Sequence, residues 1–305
     1  MFTDVSLPLG FSPSGLLAFA VLTVLIATTV NTFAMEAAVI FVPAFMYVYP
    51  EFVPTFPAVG LYAAIGLALF VELFGYTSSV AAYWHRGQID LDVVKSVLAV
   101  SVPVAVLTRT LSYYAPRDAL QLLFGGMLVV LAGILFQAHR HGATFVDWFR
   151  DTSLEFLLPD GEGSVRTDGG LPPFDRFDRG VAALGGAMAG FVAIAIGELT
   201  QVLLTVRKRV PIRLSTGTSA AVLHGTIVAA LVTNLLLLRF APPSFSGHQF
   251  TVPFGFGFAA GLCCLVGGQL GAYLNSRVPE DVTMRAMMGV YSLVGAFMVV
   301  RVVAL

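Results

Sequence analysis

Apolar positions along the chain fall into long unbroken blocks separated by short polar interruptions. The blocks cover approximately 14–34, 37–49, 56–83, 92–112, 118–138, 180–206, 214–239, 251–275 and 282–303. Most reach about 20 residues, the length a helix needs to cross a hydrocarbon layer roughly 30 Å thick. One long polar stretch interrupts them, HRHGATFVDWFRDTSLEFLLPDGEGSVRTDGGLPPFDRFDR (139–179), whose Gly, Asp and Pro content marks a linker. Trp148, Phe149 and Phe156 suit part of it to a membrane surface. The pattern predicts an all-α polytopic membrane protein with a first membrane repeat over 1–138, a cytoplasmic linker over 139–179 and a second membrane repeat over 180–305.

The two halves resemble each other. VPTFPAVGLYAAI (53–65) aligns without gaps to VPIRLSTGTSAAV (210–222), and APRDALQLLFGGMLVV (115–130) aligns to VPEDVTMRAMMGVYSL (278–293). Two blocks in the same order point to an internal duplication. Setting Glu36 against Glu198 needs a gap of about five residues, yet each follows a long apolar run and precedes a shorter one. Interrupted segments at matching places in two halves are the best sequence pointer to a transporter's binding site.

Charge orients the halves. YWHRGQID (83–90), Lys95 and VRKRVPIR (206–213) carry basic residues, whereas YPEFVPTFP (49–57) and FAPPSFSGHQF (240–250) carry none. The positive-inside rule places the first group and the arginine-bearing linker in the cytoplasm. Linker and RKR loop share a side only if 180–206 folds back without a net crossing. The duplication implies the same of 14–49, with its ends outside. The expected architecture is an inverted repeat, each half an interrupted or re-entrant segment plus three transmembrane helices, with both termini outside.

Composition agrees: 57% of residues are hydrophobic and 11% charged, mean hydropathy is +0.85, and the net charge is −1. Soluble domains carry about 25% charged residues. A multi-pass cell-membrane protein in contact with the lipid bilayer is expected, and no basic arm points to nucleic acid. The N-terminus has no positive n-region and reads as a retained membrane segment. Cys263 and Cys264 are adjacent in an apolar block and read as packing residues. No P-loop or GxSxG motif occurs. His224 lies five residues after Ser219, about 140° around a helix, so the two do not share a face. His139 and His141 lie two residues apart in the linker, a spacing that by itself is weak evidence for a metal site. Neither an enzyme nor a cofactor is expected, and a homodimer stays open.

The candidate chemistry lies inside the apolar blocks. In AIAIGELTQVLLTVRKRVP (193–211), Glu198 has no basic partner before Arg207. A lone carboxylate in hydrocarbon costs about 2.5–3.5 kcal/mol on insertion scales, so a chain that keeps one there has a use for it. Thr200 and Gln201 add a hydroxyl and an amide, and Glu36 repeats the setting in the first half. Glu72 stands in mid-block with Thr77, Ser78 and Ser79 after it; Glu72 and Ser79 share a helix face. Arg109 is the one basic residue well inside a block, suited to binding an oxyanion through two N–H groups, to pairing with a glutamate, or to snorkelling. Thr218 and Ser219 read as the start of a helix whose amides favour negative charge, and Gln269 sits in the small-residue run GGQLG. The bland alternatives are a protonated acid bonded to a neighbouring helix, and Ser, Thr and Gln as ordinary helix contacts. Tyr83, Trp84 and the Arg86 loop read as an interfacial belt.

HRGQID (85–90), STGTS (215–219) and GGQLGAYLNSRVPED (267–281), spread in this order over both halves, resemble the sulfite exporter TauE/SafE family. The resemblance covers nearly the whole chain outside the linker. It implies a secondary transporter, an exporter of a small sulfur-containing or organic anion such as sulfite or a sulfonate, with Thr218 and Ser219 in contact with it; the residue reading adds Arg109 as a further group to hold the anion. The paired acids themselves, apart from the resemblance, lead to the expectation that Glu36 and Glu198 take up and release coupling protons. Where many members carry GxGGG, this chain reads AMEAA (34–38) and AIGEL (195–199), so a carboxylate stands where glycines expose amides. That departure resembles a Gly-Glu-Leu variant subgroup. The alternative reading is a transporter or channel for a cation or cationic amine that uses Glu36, Glu72 and Glu198 as an oxygen cage.

Overall fold

The computed structural model describes residues 12–33, 35–141, 174–208, 210–240, 252–275 and 277–304. Trp148, Phe149 and Phe156 lie outside the described residues. In chain order the helices are α1 (Pro13–Thr32), α2 (Ala38–Phe52), α3 (Leu61–His85), α4 (Leu91–Ser112), α5 (Arg117–His141), α6 (Arg176–Val192), α7 (Ile196–Val202), α8 (Ile212–Phe240), α9 (Phe254–Asn275) and α10 (Glu280–Val303). Seven helices among the described residues are long and apolar enough to cross a membrane: α1, α3, α4, α5, α8, α9 and α10. The chain is a polytopic all-α membrane protein.

Local sequence sets the helix ends. Ser12 accepts the Gly15 N–H and Pro13 opens α1, while Asp90 accepts the N–H groups of Asp92 and Val93 at the start of α4. Asp175 and Asp178 form a reciprocal capping box on α6. These contacts take up amides that a helix start leaves without acceptors. The ends of the stretch expected as linker are helical: α5 runs to His141 and Asp175 caps α6.

The first segment of each half folds back on itself. The Tyr49 hydroxyl lies 2.7 Å from Thr23 Oγ1, and its ring meets Phe19 at 5.4 Å, so α2 returns alongside α1. Phe45, Phe56 and Phe256 complete an aromatic cluster at the open end of this hairpin. In the second half Arg207 hydrogen-bonds to Asp178 and, at 2.6 Å, to Asp175 at the start of α6, and Lys208 reaches Asp178 at 2.7 Å. One hairpin is closed by rings and the other by charges. A π-helical turn interrupts each returning arm, at Ala44–Val48 and Leu203–Arg207.

Small residues set the helix neighbours. On α9, Gly267 and Gly271 press against Ala27 and Asn31 of α1; on α6, Gly186 and Gly190 press against Ser101 and Thr108 of α4. Both pairs are GxxxG spacings, which let backbones approach where lipid offers no hydrophobic drive between helices. A Cβ on Gly190 would lie 2.0 Å from Thr108 Oγ1, so nothing larger fits. Progress along each pair shows that α9 runs parallel to α1, and α6 parallel to α4. α5 and α10 instead cross antiparallel, each glycine of Gly125 and Gly295 facing the other's carbonyl.

Candidate functional site

The two hairpins meet at their tips. In the first, Phe33 ends α1 and the Met35 N–H closes a wide turn onto the Val30 carbonyl. In the second, Ala193 and Ala195 adopt left-handed backbone, with φ of 61° and 83°. That conformation costs a non-glycine residue about 1–2 kcal/mol. It turns the chain sharply enough for α7 to start within reach of Glu36.

A reciprocal latch joins the tips. The Gly197 N–H donates to Glu36 Oε1 at 2.5 Å, and the Glu36 N–H donates to Glu198 Oε1 at 3.0 Å. Tyr291 of α10 donates its hydroxyl to the same Glu198 oxygen at 2.6 Å. One step away, Glu72 Oε1 of α3 accepts the Ala38 N–H at 2.6 Å, and the Tyr76 hydroxyl donates to the Met35 carbonyl at 3.2 Å. All three carboxyl groups are at most 5% exposed, and each keeps a second oxygen, Oε2, without a hydrogen-bond partner among the described residues. The physical logic is that first-turn amides lack helical acceptors and carry the positive end of the peptide dipoles. Here resident carboxylates fill that role.

Glu36 and Glu198 are not the mirror pair that the sequence alignment suggested. Glu36 stands in the break, two residues before α2, whereas Glu198 lies within the first turn of α7. The five-residue gap is therefore a real offset, and it lets each carboxylate reach the other tip's backbone instead of opposing its counterpart.

A narrow cavity leads from this latch toward the 83–90 loop. Glu36, Glu198, Gln201 and Ser219 line it, together with Asn31, Met35, Tyr76, Ser79, Tyr83, Gly197 and Thr216. Among the described residues no Lys, Arg or His lines it. Gln201 Nε2 donates to Thr216 Oγ1 at 3.3 Å, and Ser219 donates to the Thr216 carbonyl at 3.0 Å.

Other sequence candidates lie elsewhere. Glu72 is buried behind the first tip, and Thr200 is buried in α7 beside Glu198 without lining the cavity. Thr218 Oγ1 accepts the Asp90 N–H at 2.9 Å and so ties α8 to the start of α4. The expectation that Thr218 and Ser219 start a helix is corrected: α8 begins at Ile212, which puts both residues in its second turn with their amides inside the helix. Ser78 and Gln269 hydrogen-bond to each other on the exposed side between α3 and α9. Arg109 is fully buried against Asn234 of α8, away from the cavity lining. Tyr83, expected in an interfacial belt, is also among the residues that line the cavity. Cys263 and Cys264 are free thiols. Among the described residues no three His, Cys, Asp or Glu side chains converge as a metal site would require.

Sequence reasoning missed Asn31, Tyr76, Thr216 and Tyr291. A hydroxyl or amide in mid-block needs a partner when buried, and Tyr76 sits four residues after Glu72, so a search for polar groups near the acids would have found it.

No curated protein and no solved structure matches the chain. The family described as "Sulfite exporter TauE/SafE" matches residues 17–298, a span that takes in both hairpins, all three glutamates and the cavity between them. The chain therefore belongs to the sulfite exporter TauE/SafE family of membrane transport proteins.

Proposed function

We propose that this transporter moves a small sulfur oxyanion, such as sulfite or a sulfonate, outward across the cell membrane together with protons. The observation that carries the reading is the latch: carboxylates at both hairpin tips occupy backbone amides that an oxyanion would otherwise take. An ionised carboxylate and a substrate anion compete for the same N–H donors. Protonation turns Glu36 or Glu198 into a weaker acceptor, frees an amide and removes the repulsion that a fixed negative charge exerts on the anion. Proton and anion then bind as a pair, and releasing both lets the latch close again.

The tips can part only if the hairpins move relative to each other, as alternating access requires. We read the architecture as an inverted repeat, with α1–α5 related to α6–α10. In its support, α9 lies along α1 as α4 lies along α6, and the corresponding helices α3 and α8 run antiparallel: Gly66 faces Asn234, while Ser79 and Tyr83 line the cavity with Thr216 and Ser219. The basic residues of the 83–90 and 206–213 loops favour placing the cavity mouth in the cytoplasm. The Gly-Glu-Leu break marks the proposed variant subgroup, in which a carboxylate replaces exposed glycine amides.

A specific observation favours a second reading. With two carboxyl groups, hydroxyls and amides but no cationic side chain, the cavity also suits a cation or cationic amine. Purified protein in liposomes separates the two. Sulfite flux that is accelerated by a pH gradient and loses that response in Glu198→Gln supports the anion reading. Current carried by a cation in the absence of any transported anion supports the other.

A further inference from the structure

Arg109 is the largest fully buried side chain among the described residues, at 1% exposure. Its Nε and Nη2 donate to one atom, Asn234 Oδ1 of α8, at 3.2 and 2.5 Å. Among the described residues neither Nη1 nor Asn234 Nδ2 has an acceptor. The amide orientation follows from chemistry, since a guanidinium carries donors only and must face the oxygen. No carboxylate pairs with Arg109 among the described residues; the three buried glutamates spend their bonds on hairpin amides. A buried, unpaired guanidinium is among the costliest arrangements a membrane protein can hold.

The location adds to the case. Arg109 and Asn234 lie near the ends of α4 and α8 that approach the 112–117 turn, whereas the cavity leads toward the 83–90 loop. Among the described residues that line the cavity, an anion meets no positive side chain. Gly66 of α3 faces the free amide: a Cβ there would lie 3.1 Å from Asn234 Nδ2 and 3.1 Å from Val252, so the missing side chain keeps space beside the donors.

We infer that Arg109 and Asn234 form a second oxyanion-binding station, closed in this conformation and reached when the transporter opens toward the 112–117 face. Nη1 and Nδ2 donate to oxygens of the anion, and the guanidinium supplies the countercharge that the glutamate-lined cavity lacks. The inference rests on the anion reading above.

The test uses full-length protein in oriented liposomes, with sulfite as the probe applied to each face. Asn234→Asp gives Arg109 a resident carboxylate of nearly the same shape. It is expected to melt at or above the wild-type temperature. It should also raise the sulfite KM at the 112–117 face tenfold or more, leaving the opposite face within twofold. Arg109→Gln should show the same one-sided split. Should Asn234→Asp fail to fold, Arg109→Lys decides, since it keeps the charge, loses the guanidinium fork and should still raise KM at that face alone. Sulfite transport with KM unchanged at both faces in the folded variant overturns the station alone and leaves Arg109 a packing residue. A wild type that carries no sulfite overturns the anion reading and the station with it.

Discussion

Replacing Glu198 tests the latch directly, because two substitutions at this position differ in one respect. Glu198 Oε1 accepts two buried donors, the Glu36 N–H at 3.0 Å and the Tyr291 hydroxyl at 2.6 Å. Glu198→Ala removes that oxygen and leaves both donors unsatisfied. Each orphaned buried donor costs about 1–3 kcal/mol, so the loss is roughly 2–6 kcal/mol. Glu198→Gln keeps a carbonyl oxygen in the same place and turns its amide toward the position of Oε2, which has no partner to lose. It gives up only the difference between charged and neutral acceptors, about 1 kcal/mol per bond. Thermal unfolding in detergent should rank wild type, then Gln, then Ala, with a clear gap before Ala. Sulfite flux into liposomes loaded with a pH-sensitive dye should persist in the Gln variant without its proton signal. Equal melting temperatures for Ala and Gln, or proton-coupled flux in Gln, would refute the reasoning.

Three further outcomes follow from packing, backbone and charge. Gly190→Ala forces a Cβ to 2.0 Å from Thr108 Oγ1 and 2.4 Å from the Ala105 carbonyl, whereas nothing lies within 4 Å of a Cβ on Gly180. The first should destabilise by about 3 kcal/mol or fail to fold and the second should be neutral, as a melting comparison of both variants would read. Ala195→Gly relieves left-handed backbone worth about 1 kcal/mol and should melt no lower than wild type; a clear drop would mean that the methyl group matters more than the strain. Asp175 is raised by burial, but the hydrogen bond from Arg207 and the nearby charges of Arg207 and Lys208 outweigh that and hold it below the usual carboxylate range. A depressed folded pKa contributes stability that is present above the unfolded value, about 3.9, and lost as pH falls through the folded one. The melting advantage of wild type over Asp175→Asn should therefore hold at pH 5–7, shrink as pH falls past about 4 and vanish only below the depressed folded value. High salt should narrow it.

The hydrophobic pattern alone made the membrane class legible, and charge in the loops implied that 14–49 and 180–206 turn back. Both rest on local quantities: how long a stretch stays apolar, and where arginines cluster. The three glutamates were legible too, because an acid in a long apolar run stands out whatever surrounds it. What each acid does was decided only in three dimensions. Glu36 meets Gly197, Glu198 meets Glu36, and Arg109 meets Asn234, across 161, 162 and 125 residues of chain. A hydrogen bond is fixed by the position of its acceptor to within a few tenths of an ångström. Here that position depends on glycine contacts that set how closely whole helices approach, and on two left-handed alanines that aim α7. Apolar periodicity carries no record of either, so it could name the acids without naming their partners.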